Sequence, residues 1–286
     1  MTRGGAPQDA LPSFAQLAAT ADDDLDIALG AALIARDTYD DLDVRALLAE
    51  LEALGAPLGT AGATSREATL RERVVAVSEH FTSLGFRGNT DDYYDPKNSL
   101  LPDVLERKVG IPITLAIVWC AIAQRAGLDA RGIAFPGHFL VRVDGHVAAA
   151  PIVVDPFHEG RILDDDDAQK LLKRALGDTA ELHPTLFAAA SPRVVLVRLL
   201  TNLEATWAKR GEHARAFIAV DRIVTLVPNS ARMLRERAAL ALRIGAGEVA
   251  RADLARVIEL EPQAPDIPQI EARLAKLQAP TKATLH

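Results

Sequence analysis

The stretch "RKVGIPITLAIVWCAIAQRAGL", residues 107 to 128, predicts the centre of the fold. Pro112 stands at the first position of a predicted helix, where the N–H that proline lacks would have no partner in any case. The residues that follow are apolar almost all round the helix, and such a helix is normally buried. Gly127 is placed to end it. We therefore expect a core helix that other elements surround.

Cys120, the only cysteine of the chain, lies inside this predicted helix. A thiol is activated most readily at a helix N-terminus, where free N–H groups point at the sulfur. Cys120 is instead about 12 Å along the axis, at ~1.5 Å per residue. Its neighbours Trp119, Ala121 and Ile122 are apolar. The position predicts a buried thiol with a raised pKa rather than a nucleophile.

After Gly127 the sequence changes to short apolar runs between glycines and prolines, namely "DARGIAFP", "HFLVRVDG" and "AAAPIVVDPF". These runs predict three strands. His138 begins the second predicted strand, and Asp155 ends the third. Neighbouring strands could place the two side chains within hydrogen-bond reach, with the aspartate fixing the tautomer of the imidazole.

The part before the core helix is mainly helical in its spacing. Amphipathic patterns run from about Asp22 to Leu54 and over residues 66–85, and a short helix is predicted over 100–110. Ser99 is the expected N-cap of that short helix. Residues 1–20 are expected to be a flexible N-terminus.

The last third of the chain contains a repeat of 34 residues. Three pairs keep this offset: Gly211 with Gly245, Ala216 with Ala250, and Pro228 with Pro262. A period of 34 with glycine in the turn and small residues at the helix crossing resembles the tetratricopeptide repeat, a helix–turn–helix unit. The alternative is an unspecialised helical bundle.

Composition limits the classes of function. The chain has 286 residues, 49% of them hydrophobic, and a net charge of −7, which argues against nucleic acid as the main partner. No apolar run reaches the ~18 residues needed to span a membrane. A single cysteine fits a reducing compartment, so a cytoplasmic protein is expected. We expect no cofactor.

The stretch from "GNTDDYYDPKNSLLPDVLERKVGIPITLAIVWCAIAQRAG" to "IVVDPFHEGRIL" resembles the bacterial SirB-type family, which joins a transglutaminase-like domain to tetratricopeptide repeats. The resemblance implies an α+β fold that is mostly helical. A transglutaminase-like (papain-like) domain with a small antiparallel sheet would cover residues 21–185. An all-α tetratricopeptide-repeat domain would cover 190–280.

The same resemblance implies a Cys at the start of the buried helix, a His on a strand and an Asp on the next strand. His138 and Asp155 match the last two, as retained catalytic residues of an active or vestigial site, whereas the Cys position falls at about Pro112. The thiol nucleophile is therefore expected to be missing. The alternative for the pair is a structural hydrogen bond between strands.

Further residues are candidates for the cleft. Ser99 and Thr114 carry hydroxyls near the predicted helix start, and Arg142 follows His138 and could bind a carboxylate. His158, three residues after Asp155, could join a metal site, but no HxH or HExxH spacing supports one, and we expect no metal. The candidates for the cleft are Asn98, Ser99, Pro112, Thr114, Arg142 and His158.

Two functional hypotheses follow. The first is a non-catalytic binding, scaffolding or regulatory protein. It would hold a protein or peptide partner in the cleft that serves as the active site in transglutaminase-like enzymes, and its repeats would make further protein contacts. The alternative is an amide or peptide hydrolase or transferase that uses His138 and Asp155 with an unidentified nucleophile. The sequence names neither the partner nor the oligomeric state.

Overall fold

The part of the chain described in the computed structural model, residues 11–60, 68–145 and 150–278, contains thirteen α-helices and six short strands. The helices are α1 Phe14–Ala18, α2 Ile27–Arg36, α3 Val44–Leu54, α4 Ala56–Thr60, α5 Leu70–Ser83, α6 Leu101–Arg107, α7 Pro112–Arg125, α8 Asp165–Leu176, α9 Pro192–Lys209, α10 His213–Leu226, α11 Ala231–Arg243, α12 Gly247–Leu260 and α13 Ile267–Gln278. The strands are β1 Arg87–Gly88, β2 Val109–Gly110, β3 Asp129–Ile133, β4 Leu140–Asp144, β5 Ile152–Asp155 and β6 Arg161–Leu163.

The chain divides into two compact units, Met1–Leu199 and Leu200–His286. The division falls inside α9, which runs through it as one helix. The domain bounds expected from the sequence, 21–185 and 190–280, remain a prediction.

Helix α7 is the core of the first unit. Pro112 is its first residue, and Gly127, at φ +72°, ends it with Leu128 N–H donating to Ala123 O at 2.9 Å. Its largest side chain, Trp119, is fully buried, and α3, α5 and β3 pack around the helix. Burial of each large apolar side chain contributes about 1.5–3 kcal/mol, so this helix supports the whole unit.

Four strands form an antiparallel sheet in the order β3-β4-β5-β6. A separate parallel pair, β1 with β2, brings the segment after α5 alongside the residues that precede α7. Helix α8 covers one part of the larger sheet, where Ala168 and Leu172 pack with Ile133, Phe135 and Leu140. The expected fold class, α+β and mostly helical with a small antiparallel sheet, is confirmed.

The N-terminal region differs from the expectation of flexibility over residues 1–20. Residues 1–10 lie outside the described residues, but Phe14–Ala18 forms helix α1 with Phe14 and Leu17 buried. Ser13 and Gln16 form a capping box, with Ser13 Oγ accepting from Gln16 N–H at 3.2 Å. This cap and the two buried side chains hold the segment in place.

The second unit contains helices α10 to α13, and consecutive helices pack against each other. Gly211 and Gly245 lie in the turns that precede α10 and α12. Ala216 and Ala250 are both fully buried at equivalent positions of those two helices. Trp207, near the end of α9, is 5% exposed, and the guanidinium of Arg215 lies 4.7 Å from its ring centre.

No helix within the described ranges is both long enough and apolar enough to cross a membrane.

Candidate functional site

The N-terminus of α7, where a thiol nucleophile would be expected, is closed by the chain's own groups. Pro112 is buried there. Thr114, 1% exposed, accepts a hydrogen bond from Ile111 N–H at 3.1 Å and donates its hydroxyl to Asn98 O at 2.7 Å. Both partners are backbone groups, so the Thr114 hydroxyl tethers the helix start to the preceding turn.

Asn98 and Ser99 belong to that preceding turn. Asn98 is fully buried; its side-chain amide donates to Asp92 O at 2.7 Å, and its oxygen accepts from Asn89 Nδ2 at 3.0 Å. The expectation that Ser99 is the N-cap of α6 is wrong, because Leu100 occupies that position and Ser99 closes the 3₁₀ turn Pro96–Asn98. The turn begins at Pro96 and uses Ser99 as its C-cap, so the N-cap of α6 falls one residue later than expected.

Cys120 lies on the wall of an apolar cavity of about 390 Å³, which Ile27, Ile117, Phe139 and Val195 also line. Burial raises the pKa of its thiol to about 12. The residue is partly accessible through this cavity, so it is less enclosed than its helix predicts. Within the described part of the chain, no hydrogen bond joins Cys120 to His138.

Among the described residues, three or more His, Cys, Asp or Glu side chains converge in one place. This cluster consists of His138, Asp155 and His158. Asp155, 1% exposed, ends β5. Its Oδ1 lies 2.9 Å from His138 Nε2, and its Oδ2 lies 2.7 Å from His158 Nδ1. The carboxylate also accepts from Phe157 N–H at 3.0 Å. Each oxygen therefore holds a different imidazole.

The electrostatics of the cluster favour an ionised carboxylate. Burial alone would raise the pKa of Asp155, but the hydrogen bond and charge of His138, and then those of His158, outweigh it and lower the pKa. His138 is largely enclosed, with 12% of its side chain exposed, whereas His158 is 55% exposed. One imidazole thus faces the interior and the other faces solvent.

The backbone places His138 through a tight turn. His138 N–H donates to Phe135 O at 3.1 Å, and Gly137 adopts φ +66°, which favours glycine. A Cβ at Gly137 would lie 2.7 Å from Ala175 Cβ on α8. This turn therefore requires glycine both for its conformation and for its contact with α8.

Aromatic rings support the two imidazoles. The Phe157 ring packs edge-on to both His138 and His158, with centroid distances of 5.9 and 5.2 Å. A Cβ at Gly88 on β1 would lie 2.6 Å from this ring, so the missing side chain makes room for it. Tyr93, 42% exposed, approaches Phe157 at 6.3 Å.

A buried serine connects α7 to the same loop. Ser78 on α5 donates its hydroxyl to Gly160 O at 2.8 Å and accepts from Trp119 Nε1 at 3.3 Å. Gly160 follows the 3₁₀ turn Pro156–His158. The Ser78 hydroxyl therefore links the core helix α7 to the loop that carries His158.

Arg142 has partners in its own surroundings. Its Nε donates to Asp144 Oδ1 at 2.8 Å, and its Nη1 donates to Phe187 O at 3.3 Å. No hydrogen bond of the described residues joins the histidine cluster to Asn98, Ser99, Thr114 or Arg142.

A surface cleft of about 330 Å³ borders the cluster. Asp155 and His158 line it together with three basic side chains: Arg161, Lys170 and Arg174. Arg161 is hydrogen-bonded to Asp167. Arg161 lies on β6, a strand that the sequence did not predict, and no motif indicated that Lys170 and Arg174 of α8 would line this cleft. Lys170 and Arg174 are four positions apart on α8, a spacing that places both on one helix face.

Comparisons with known proteins agree with both units. The family model of the transglutaminase-like superfamily matches residues 45–201, and a tetratricopeptide-repeat model matches residues 203–275. A UPF0162 protein of Xylella fastidiosa is 36% identical over 283 residues, covering 93% of this chain and 95% of that protein. A UPF0162 protein of Pseudomonas aeruginosa is 32% identical, covering 84% and 86%. F-box only protein 21 of Homo sapiens is 25% identical over 58% of this chain and 27% of its own length.

Proposed function

The chain belongs to the UPF0162 family within the transglutaminase-like superfamily, and from this membership we propose that it is a protein-binding protein whose transglutaminase-like domain performs no thiol chemistry. An extended segment of a partner protein binds in the cleft of the transglutaminase-like domain. The repeats provide a second surface for protein contacts.

One observation carries the non-catalytic part of the proposal. Thiol catalysis requires a thiolate within hydrogen-bond reach of its base. Here Pro112 begins the central helix, and the chain's single thiol lies two turns further on with a pKa of about 12. At neutral pH such a thiol is almost wholly protonated, and it makes no hydrogen bond with His138 in the described structure.

Exposed aromatic residues beside the cluster support the binding part. Tyr93 and Tyr94 are 42% and 50% exposed and pack edge to face at 5.5 Å. Tyrosine is enriched at protein interfaces, where it contributes a large contact area with little loss of side-chain freedom. Tyr93 adjoins Phe157, whose ring packs against the two histidines, so a segment bound on the tyrosine pair would pass over both histidines.

The catalytic part is tested with the purified full-length protein. Amine incorporation into a glutamine-bearing protein and hydrolysis of peptide amides are measured for the wild type and for His138→Gln. We expect no turnover above buffer in either. Turnover by the wild type that His138→Gln abolishes, with the melting temperature unchanged, would overturn the proposal.

The binding part is tested by affinity capture followed by reconstitution with purified proteins. The double variant Tyr93→Ala, Tyr94→Ala is compared with Val75→Ala, which removes an apolar side chain exposed to 38% on α5. We expect the double variant to weaken the affinity for the purified partner at least ~10-fold, which is ~1.4 kcal/mol. Equal affinities of the wild type and the double variant would contradict binding at this surface.

The second candidate function is an amide hydrolase or transferase with another nucleophile. The observation in its favour is the His138–Asp155 contact of 2.9 Å, which has the form of a base and its orienting carboxylate. The turnover assay above separates the two, because only the enzyme requires His138 for a reaction rate.

A further inference from the structure

The convergence of two imidazoles on one buried carboxylate has a chemical use that goes beyond partner binding. The three potential ligand atoms, one from each of His138, Asp155 and His158, all lie within 4.8 Å of one another. Spacing in the sequence argued against a metal site. The turn at His138 and the loop after Asp155 bring the residues together only in the folded chain.

We propose that His138, Asp155 and His158 form a binding site for a divalent transition-metal ion such as Zn²⁺. Two imidazoles and one carboxylate are a ligand set that suits zinc, cobalt or iron, and three protein ligands leave a coordination position open. This proposal does not rest on the proposed function, because metal binding is measured directly.

The distances set the rearrangement that a metal ion would require. Ligand atoms ~2.1 Å from a metal are separated by about 3.0 Å at a right angle and about 3.4 Å at the tetrahedral angle. The contacts of the two Asp155 oxygens with His138 and His158, 2.9 and 2.7 Å, must lengthen by well under 1 Å. The separations within the set of one atom per residue reach 4.8 Å, so the widest must shorten by more than 1 Å, and the exposed ring of His158 can turn to allow it.

The charge of Asp155 supports the assignment. The carboxylate is 1% exposed, and its hydrogen-bond partners are the two imidazoles and Phe157 N–H. Buried charges in proteins are normally paired or coordinate metals. Arg161 lies opposite Asp155 in the strand register, but its guanidinium binds Asp167 instead. A metal ion held between the two imidazoles would place a full positive charge directly beside the buried carboxylate.

An ion could reach the site from solvent, and hydrogen bonds from neighbouring residues hold two of the ligand residues in place. His158 and Asp155 border the cleft of about 330 Å³, which opens to solvent. Phe157 N–H fixes one carboxylate oxygen, and Arg198 donates to His138 O at 3.2 Å. Such outer contacts orient metal ligands and typically change affinity by about 10–100-fold.

The basic side chains of the cleft make a second expectation. Lys170 and Arg174 line the same cleft, and their positive charge opposes the binding of a cation. Removing one of them should therefore tighten metal binding, whereas removing a ligand should weaken it. Opposite effects from two residues of one cleft would locate the ion there.

The test uses the full-length protein after treatment with a chelator. Binding of Co²⁺ is followed by its visible absorption, and the affinity for Zn²⁺ is obtained by competition. We expect one ion per chain and a loss of affinity of at least about 100-fold in His158→Ala, because removing a direct ligand should cost no less than removing an outer contact. The His158 side chain is 55% exposed, so the fold should tolerate its removal. Asp155→Asn keeps the shape of the buried side chain and should lose affinity similarly. Lys170→Met should gain about threefold.

His183→Ala removes a histidine outside the cluster and is the matched control, which should bind as the wild type does. Thermal melts establish that each variant is folded. Equal Co²⁺ affinity of the wild type and a folded His158→Ala would overturn the proposal, as would the absence of a Co²⁺ spectrum in the stripped wild type.

Discussion

Cys120 shows how burial changes the chemistry of a side chain. A thiol whose pKa is about 12 is deprotonated to only about one part in 10⁴ at pH 8, whereas a free thiol of pKa ~8.5 is about one quarter thiolate. We predict that iodoacetamide labels native Cys120 on the order of a thousandfold more slowly than a small thiol at pH 8.

The pH profile of labelling is the sharper measurement. Because the folded-state pKa is raised, the thiolate fraction and the rate should still increase about tenfold per pH unit between pH 8 and pH 10. The same cysteine in urea is the control, and its rate should level off near pH 9. A native rate that levels off by pH 8 would show an ordinary, accessible thiol.

Gly137 should resist replacement more than a glycine that is constrained by conformation alone. Gly137→Ala combines a left-handed φ of +66° with a Cβ placed 2.7 Å from Ala175. Gly211 has φ +76° but open space around it, so Gly211→Ala isolates the backbone strain. We expect Gly137→Ala to lower the free energy of unfolding by about 3 kcal/mol and Gly211→Ala by about 1 kcal/mol. Urea denaturation measures both, and equal losses would show that the contact with α8 relaxes freely.

The candidate site could be predicted only in part from individual residues. His138 stands at the start of one apolar run and Asp155 at the end of the next, and both match the family pattern, so the sequence indicates this pair. The second contact of Asp155, with His158, depends on the 3₁₀ turn after β5. Short turns of this kind have no hydrophobic period, so the sequence could not show that both histidines reach one carboxylate.

The packing of α5 on α7 depends on Ser78. Ser78→Ala would leave Trp119 Nε1 and Gly160 O without their partner in a buried position. Leaving a buried polar group unpaired costs about 1–3 kcal/mol. We predict a loss of about 2 kcal/mol in unfolding free energy, measured by urea denaturation, with faster amide exchange in the loop around Gly160.

Ser83→Ala is the matched control on the same helix. Its hydroxyl donates only to His80 O at an exposed helix end, so its removal should change stability by less than about 0.5 kcal/mol. Similar losses in the two variants would mean that Ser78 contributes helix propensity rather than a link between elements.

Helices and strands with a clear hydrophobic pattern can be predicted from the sequence, whereas strands of two or three residues cannot. The apolar run of α7 and the three runs of β3 to β5 are all found in the structure. Strand β6, with three residues, and the pair β1–β2, with two residues each, are too short to show alternation. They exist because a neighbouring strand supplies their hydrogen bonds, which is tertiary information.

The second unit is held by two arginines of α11 that differ in burial. Arg237 binds Asp253, 2% exposed, at 2.6 Å and Asp221 at 2.7 Å, and so joins α10, α11 and α12. Arg235 binds Glu261 and Asp266 nearer the surface. Breaking a buried pair leaves an uncompensated charge, whereas exposed pairs contribute little.

We therefore predict that Arg237→Ala destabilises the repeat unit by about 3 kcal/mol and Arg235→Ala by less than about 1 kcal/mol. Amide exchange of residues 200–278, measured by mass spectrometry on the full chain, assigns the loss to this unit. Equal losses in the two variants would show that burial of Asp253 is unimportant.

The two-part organisation was the most predictable property of the chain. A repeat period of 34 and a dense motif around α7 indicated the two families, and the family matches over 45–201 and 203–275 confirm both. The position of the boundary was not predictable, because the helix that passes through it has a continuous period on either side.

Each compact unit contains one tryptophan, Trp119 in the first and Trp207 in the second, and both indoles are buried. Buried indoles emit at shorter wavelengths than indoles in water, so the intrinsic fluorescence of the chain combines two separate reporters. Replacing either indole with phenylalanine leaves a single emitter, and the red shift of that emitter then follows the loosening of its own unit during unfolding.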